Sequence, residues 1–284
     1  MRNTTFKLGA TGLLCLALAA CGSMKEDRRD SAAVVTGGDV VALTSGNRIV
    51  TFNRADPQKL LTSMPLTGVP VGETLLGMDY RPADGKLYAL ATGGGIYTID
   101  PATGAATKKS QLTSSLENTT PLTTLQGNRF AVDFNPVADR LRVVSDNGQN
   151  LRINVDNGMA LNDGAINGVP NAQIVAGAYT NAYAGATATT LVVINGADGS
   201  FYLLGSPNNG TLTRQVPMGV PDPQAQVADF DIESDSNNGY AVMTVNGVPG
   251  FYWLDLANQS SPKLIGSWNG VETIQSFALW QRAK

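Results

Sequence analysis

Three aspartates occupy matching positions in three short apolar runs of the sequence. They are Asp79 in the run MDY, Asp133 in VDF and Asp231 in FDI. If these runs line the axis of a repeated fold, the three carboxylates converge and form an oxygen cage for a hard cation such as calcium. The alternative is that each aspartate accepts hydrogen bonds from its own turn or from the next repeat. A residue that recurs in a repeat usually serves the geometry of the repeat, which favours this alternative.

Acidic side chains also alternate between Ala228 and Gly239, at positions 229, 231, 233 and 235. In a strand all four project from one face and repel one another unless a cation lies among them, which adds Glu233 to the candidate calcium ligands. The stretch departs from the calcium-loop pattern, because Ser236 stands where that pattern has glycine. A polar strand end that leads into a turn is therefore the favoured interpretation, and calcium is the one cofactor left open.

Arginines provide a second candidate site. Arg142 and Arg152 lie on consecutive predicted strands, and Arg140 lies on the first of these strands. Neighbouring guanidinium groups make a pocket for an anion or a carboxylate. The alternative is that they pair with nearby carboxylates such as Asp139 or Asp156 and stabilise the surface.

Composition excludes several classes of chemistry. The 284 residues include no histidine, and both cysteines, Cys15 and Cys21, lie in the first 21 residues. Catalysis by Ser-His-Asp or Cys-His groups, histidine-ligated metals and disulfides in the folded part are therefore excluded. The net charge of -3 provides no basic surface for a nucleic acid. These exclusions favour a non-catalytic binding or scaffolding protein, while a calcium-assisted hydrolase or lactonase that uses carboxylates stays open.

The N-terminus has the features of an export signal. Arg2 and Lys7 precede an apolar run from Leu8 to Ala20, which is too short to span a bilayer. The tetrapeptide LAAC that ends at Cys21 resembles a bacterial lipobox, which implies cleavage before Cys21 and acylation of its thiol. Gly22 rather than aspartate follows the cysteine, and the resemblance therefore implies the outer membrane. An ordinary cleaved signal with an incidental cysteine is the alternative.

These features divide the chain into three parts. We expect a signal peptide at residues 1–20, a lipidated flexible tether at 21–38 and one folded domain at 39–284. The expected partners are the membrane, through the lipid, and envelope proteins or a small ligand.

The folded part repeats a unit of short strands. Its second strands are centred on Val41, Leu87, Leu141, Leu191 and Tyr240, at spacings of 46, 54, 50 and 49 residues. A period of about 50 residues built from short strands is typical of a β-propeller with four strands in each blade. Asn-Gly turns, which occur eight times, also favour antiparallel hairpins of type I′. The sequence predicts an all-β, five-bladed propeller, with six blades as the alternative if the stretch between Leu151 and Leu191 holds further strands.

The two ends of this domain are predicted to share a blade. In the first repeat unit, no innermost strand precedes the second strand at Val41. The run TIQSFALW from Thr273 to Trp280, in contrast, has no blade of its own. We expect this C-terminal strand to complete the first blade and close the ring.

Two segments of the chain resemble a known family. They are the residues DFNP at 133–136 with DRLRVV at 139–144, and AGATATTL at 184–191. In these segments the chain is similar to the bacterial domain of unknown function 4394, and the similarity extends from about Val40 to Trp280. The resemblance implies a secreted or surface-associated propeller-like protein, and it brings no established activity or catalytic residue.

Overall fold

The computed structural model describes residues 37–218, 226–257, 261–268 and 272–280. No helix in these ranges combines the length and the apolar character that crossing a membrane requires. The described residues form strands β1–β21, arranged in five sheets that are antiparallel except for one parallel pair in blade 3, with one short 3-10 turn.

Each sheet is one blade of a propeller. Blade 1 contains β21 (Ile274–Leu279), β1 (Val40–Thr44), β2 (Arg48–Asn53) and β3 (Asp56–Pro65). Blade 2 contains β4 (Leu75–Tyr80), β5 (Leu87–Ala91), β6 (Gly95–Asp100) and β7 (Ala105–Gln111). Blade 3 contains β9 (Phe130–Asn135), β10 (Arg140–Ser145), β11 (Asn150–Ile153), β12 (Met159–Asn162) and, paired in parallel with β12, the two-residue strand β8 (Thr113–Ser114). Blade 4 contains β13 (Ile174–Tyr179), β14 (Leu191–Asn195), β15 (Ser200–Ser206) and β16 (Thr211–Pro217). Blade 5 contains β17 (Gln226–Ile232), β18 (Gly239–Val245), β19 (Val248–Leu254) and β20 (Lys263–Gly266).

The ring is closed by the C-terminal strand. Strand β21 pairs with β1, with Val40 opposite Leu279 and Ala42 opposite Phe277. The innermost strands contact one another in the cyclic order β21, β4, β9, β13 and β17, and β17 contacts β21 again. The predicted five-bladed ring and its C-terminal closure are both confirmed. The six-bladed alternative is wrong, because the stretch between Leu151 and Leu191 adds only β12 and β13.

The core is divided among the interfaces between blades. Five apolar clusters each join two adjacent blades. In the cluster between blades 2 and 3, the ring centroid of Tyr88 lies 5.4 Å from that of Phe134 in an edge-to-face contact. Each large apolar side chain buried in this way contributes about 1.5–3 kcal/mol, so the contacts between blades hold the ring together.

The hairpin turns differ in detail from the prediction. Among the described Asn-Gly pairs, both φ angles are positive only at Asn246 (51°) and Gly247 (77°), the turn between β18 and β19. At Gly148, Gly158, Gly168 and Gly210 only the glycine has positive φ. The expectation of type I′ geometry at every Asn-Gly pair is therefore wrong, because longer connections need only one left-handed residue.

Candidate functional site

The three predicted aspartates meet at the axis of the propeller. Asp79 and Asp231 are the second-last residues of the innermost strands β4 and β17, and Asp133 is the third-last residue of the innermost strand β9. All three are buried, and one carboxylate oxygen from each lies within 4.8 Å of the others. Their shared position in the repeat therefore produces the convergence that the sequence predicts.

Their carboxylates are bonded to the main chain of the neighbouring blade. Asp79 Oδ2 accepts the N–H of Phe134 at 2.7 Å, Asp133 Oδ1 accepts the N–H of Tyr179 at 2.9 Å, and Asp231 Oδ2 accepts the N–H of Leu279 at 2.7 Å. Each bond joins an innermost strand to the next one around the ring. The alternative role weighed for these residues, hydrogen bonding to the next repeat, is confirmed.

Blades 1 and 4 carry alanine at the equivalent position. Ala278 precedes Leu279, and Ala178 precedes Tyr179. Blades 2 and 5 therefore receive no carboxylate from the preceding blade. In these two blades the aspartate instead accepts the N–H of the residue that follows it in the chain. Asp79 Oδ1 accepts the N–H of Tyr80 at 2.7 Å, and Asp231 Oδ1 accepts that of Ile232 at 2.6 Å. Each of these five amides, one in every innermost strand, thus has an aspartate acceptor.

Burial controls the protonation of this cluster. It raises the pKa of Asp79 and of Asp133 well above the usual range, and mutual repulsion adds to the effect. Burial also raises the pKa of Asp231 to about 7, against the lowering effect of the amides of Leu279 and Ile232. Like charges this close cannot all ionise without a compensating cation. The cluster holds either shared protons or a cation at neutral pH.

The rest of the predicted acidic run does not join this cluster. Strand β17 ends at Ile232, and the N–H of Glu233 bonds the carbonyl of Asn238 in the following turn. The Glu233 carboxylate accepts the N–H of Ser236 and lies 3.7 Å from Arg54. The expectation that four acidic groups share one strand face is therefore wrong beyond Asp231, and Glu233 lies outside the group of converging carboxylates.

Asp229 is a further acidic group on the same strand. Its Oδ2 accepts hydrogen bonds from Ser276 Oγ at 2.7 Å and from the N–H of Phe277 at 2.9 Å, both on β21. Burial raises the pKa of Asp229 to about 6, although the Ser276 hydroxyl lowers it. Two carboxylates thus fasten the closing strand to blade 5.

The predicted arginine pair also meets. Arg142 on β10 lies directly opposite Arg152 on β11, and both guanidinium groups bind Asp163, which follows β12. Arg142 Nη1 and Arg152 Nε each donate to Asp163 Oδ2 at 2.6 Å, and Arg152 Nη2 donates to Oδ1 at 2.9 Å. The partners expected from the sequence, Asp139 and Asp156, were wrong for these arginines.

Those two carboxylates bind a different arginine. Arg81, which follows β4 in blade 2, donates from Nη2 to Asp139 at 2.6 Å and to Asp156 at 2.9 Å. The contact joins blade 2 to blade 3. Its sequence signal is weak, because Arg81 lies in a turn and its partners are more than 50 residues away.

Arg142 and Arg152 form one wall of a groove between blades 3 and 4, which we call the arginine groove. Its cavity has a volume of about 680 Å³. The blade 3 side comprises the turn between β9 and β10 together with Arg140, Arg142 and Arg152. The blade 4 side comprises the residues at 187–191 and 203–208 and Tyr179. Within the part of the chain that the structure describes, no aspartate or glutamate lines this cavity.

The chain matches the domain of unknown function DUF4394 over residues 48–278. It belongs to this family. No curated protein matches the chain.

Among solved structures, a structural genomics protein of unknown function from Bacteroides thetaiotaomicron VPI-5482 is 16% identical, with a TM-score of 0.49 over 83% of this chain and 58% of that one. The Dos1 propeller is 13% identical, with a TM-score of 0.40 over 76% of this chain and 53% of that one. A chain of a nidogen/laminin complex is 12% identical, with a TM-score of 0.47 over 86% of this chain and 99% of that one. The chain thus spans little more than half the length of the first two of these.

The two segments by which the chain resembles its family lie on opposite walls of the arginine groove. Asn135, Arg140 and Arg142 belong to the first segment, and Thr187 to Leu191 belong to the second. The groove is therefore where these two segments come together.

The predicted lipid-attachment residue lies elsewhere in the chain. Cys21, with its tether, is outside the described residues, and its acylation stays a prediction.

Proposed function

We propose that this protein is a lipid-anchored propeller of the cell envelope that acts as a non-catalytic binding module, with the arginine groove as its binding site. The observation that carries the proposal is the groove itself, a cavity of about 680 Å³ lined by three arginines and by no carboxylate. A cavity of this size is typical of small-molecule sites. Arginines gathered at such a cavity recognise anionic groups.

The state of the axial carboxylates favours binding over catalysis. Asp79, Asp133 and Asp231 accept main-chain N–H groups, so their oxygens already serve the ring. The chain also has no histidine, the residue that most often acts as general base. These features leave few groups for proton transfer.

The tether is tested by membrane fractionation. We expect the wild-type protein to sediment with outer membranes and to incorporate a labelled fatty acid, and Cys21→Ser to abolish the label. Cys15→Ser is the matched control, because Cys15 lies inside the apolar run, and it should leave labelling unchanged. Recovery of the wild-type chain unlabelled in the soluble fraction would contradict the anchor.

The binding role is tested on the purified domain against esters, lactones and phosphoesters. We expect no turnover above background. Hydrolysis that Asp231→Asn abolishes, in a variant that keeps the wild-type circular dichroism spectrum, would overturn the non-catalytic assignment.

A calcium-assisted hydrolase or lactonase is the second candidate. The observation in its favour is that three carboxylate oxygens lie within 4.8 Å of one another, a donor set that a hard cation prefers. In this role Asp79, Asp133 and Asp231 would hold the ion. Turnover that a chelator removes and calcium restores would establish it.

A further inference from the structure

We infer that the arginine groove binds a small hydroxylated carboxylate, such as a uronic acid or a short saccharide that ends in one. This inference rests on the proposed function, because it assigns a ligand class to the site of the binding module.

The first argument is the charge in the groove. Arg140, Arg142 and Arg152 line it, and Asp163 is the one carboxylate that any of them binds among the described residues. Arg140 donates from Nη1 to the carbonyls of Ala138 and Asp139, at 3.4 and 2.8 Å, which leaves its charge without a carboxylate. Three positive groups against one negative group leave room for a further anion.

The second argument separates the roles of the arginines. Arg142 is 3% exposed and donates to four partners: the Tyr179 hydroxyl at 3.3 Å, Asn150 Oδ1 at 2.9 Å, Asp163 Oδ2 at 2.6 Å and Asn208 Oδ1 at 2.9 Å. Its guanidinium group is therefore fixed and acts as a positioning residue.

Arg152 and Arg140 are the residues available to a ligand. The side chain of Arg152 is 30% exposed and binds Asp163 through Nε and Nη2, so its Nη1 faces away from that carboxylate. Among the described residues, the Arg140 guanidinium group donates to main-chain carbonyls, in both cases through Nη1. Two partly exposed guanidinium groups with uncommitted N–H donors match the planar, two-oxygen geometry of a carboxylate.

The third argument is the polar, uncharged rim. Thr187, Thr190 and Ser206 line the groove together with Asn135 and Asn208. The carboxamide oxygens of the two asparagines already accept hydrogen bonds within the protein, so the asparagines offer N–H donors. The three hydroxyls both donate and accept hydrogen bonds, which suits the hydroxyls of a sugar. A simple anion would make no use of this rim.

The experiment compares three probes by isothermal titration in a low-salt, phosphate-free buffer. Glucuronate has both the carboxylate and the hydroxyls, acetate has the charge alone, and glucose has the hydroxyls alone. We expect glucuronate to bind at least about tenfold more tightly than either of the others, since one charge-assisted hydrogen bond corresponds to roughly this factor.

Arg152→Gln and Arg140→Gln should each weaken glucuronate binding by about tenfold or more, and Arg152→Lys should restore part of the loss. Arg48→Gln is the matched control, because Arg48 also lies on a strand and its guanidinium group donates to Ser63 outside the groove, and it should have no effect.

Three results would overturn the inference: no saturable binding of glucuronate, binding no tighter than that of glucose, or binding that neither groove variant weakens. The test is separate from that of the proposed function. Failure here, with membrane anchoring intact and no turnover, removes the ligand class alone, whereas turnover of esters or lactones removes the non-catalytic role.

Discussion

Ionisable side chains gather both in the arginine groove and at the propeller axis, where the cluster of Asp79, Asp133 and Asp231 is called the axial channel below. The two sites use their polar atoms differently. In the channel, Asp79 and Asp231 each accept two main-chain amides. In the groove, Arg140 and Arg152 retain donors that no neighbouring carboxylate takes up. Convergence of charged groups is therefore a poor guide to function until their hydrogen bonds have been assigned. The aspartate oxygens accept amides that join the blades, whereas Arg152 keeps a side chain that is 30% exposed.

The strongest test of the channel is removal of the strand that its carboxylates fasten. Deletion of residues 273–284 removes β21, including the buried side chains of Ile274, Phe277 and Leu279, and exposes the edge of β1 with which β21 pairs. At about 1.5–3 kcal/mol for each side chain, we expect the melting temperature to fall by more than about 10 °C, or the protein not to fold. Deletion of residues 281–284 alone is the control. An unchanged melting temperature in the longer deletion would disprove the role of closure.

The next largest effect should come from Asp163, the carboxylate that Arg142 and Arg152 share. Asp163→Asn leaves the guanidinium group of Arg142 buried without its carboxylate, and loss of one partner of a buried pair costs about 3–5 kcal/mol. Urea unfolding measures this difference. Asp156→Asn is the control, because its side chain is 49% exposed and exposed pairs contribute about 1 kcal/mol or less. Equal losses in the two variants would show that burial does not distinguish these pairs.

The protonation of the channel predicts a pH dependence. The folded pKa of Asp231, about 7, lies above its unfolded value of about 3.9, so the folded state binds more protons. The stability from this group is complete below about pH 4 and is lost as the pH rises towards 7. We expect Asp231→Asn to reduce the fall in unfolding free energy between pH 5 and pH 8 by on the order of 2 kcal/mol.

Two further variants test the same pH dependence. Asp229→Asn should reduce the same fall by less, because the pKa of Asp229 is raised only to about 6. The exposed Asp56 is the control, and Asp56→Asn should leave the pH dependence unchanged. A wild-type protein that becomes no less stable between pH 5 and pH 8, or an unaltered slope in Asp231→Asn, would contradict the raised pKa.

The smallest effect is expected from calcium. If amides and shared protons already satisfy the axial carboxylates, a chelator should move the melting temperature by less than about 1 °C, since only a ligand bound to the folded state stabilises it. Calorimetry with and without added calcium measures this shift. A shift of several degrees that calcium restores would support the metal site and reverse the contrast drawn between channel and groove.

The architecture could be predicted from the sequence because the same strand pattern recurs in several copies of the repeat. The matching positions of Asp79, Asp133 and Asp231 and the unpaired run at the C-terminus both depend on comparison between copies, and both were confirmed at the level of the fold. Glu233 was misplaced because acidic residues continue to alternate in the sequence after β17 has ended at Ile232. Spacing alone does not show where a strand stops.

Asp163 could not be predicted for a different reason. It lies 11 residues from Arg152 and 21 from Arg142, just after the four-residue strand β12, whose pattern is too short to fix its register. The second wall of the groove comes from blade 4, and no local sequence pattern links blades 3 and 4. Contacts between repeats are set by packing, and a single copy of the repeat does not contain them.

The pairing of Val40 with Leu279 also sets an order of events in time. A ribosome makes β1 first and β21 last, so the edge of β1 has no partner until nearly the whole domain has been synthesised. An unpaired edge invites pairing with other chains, and such intermediates are prone to aggregate. The growing chain is therefore prone to aggregate through the edge of β1 until β21 has been synthesised and pairs with it.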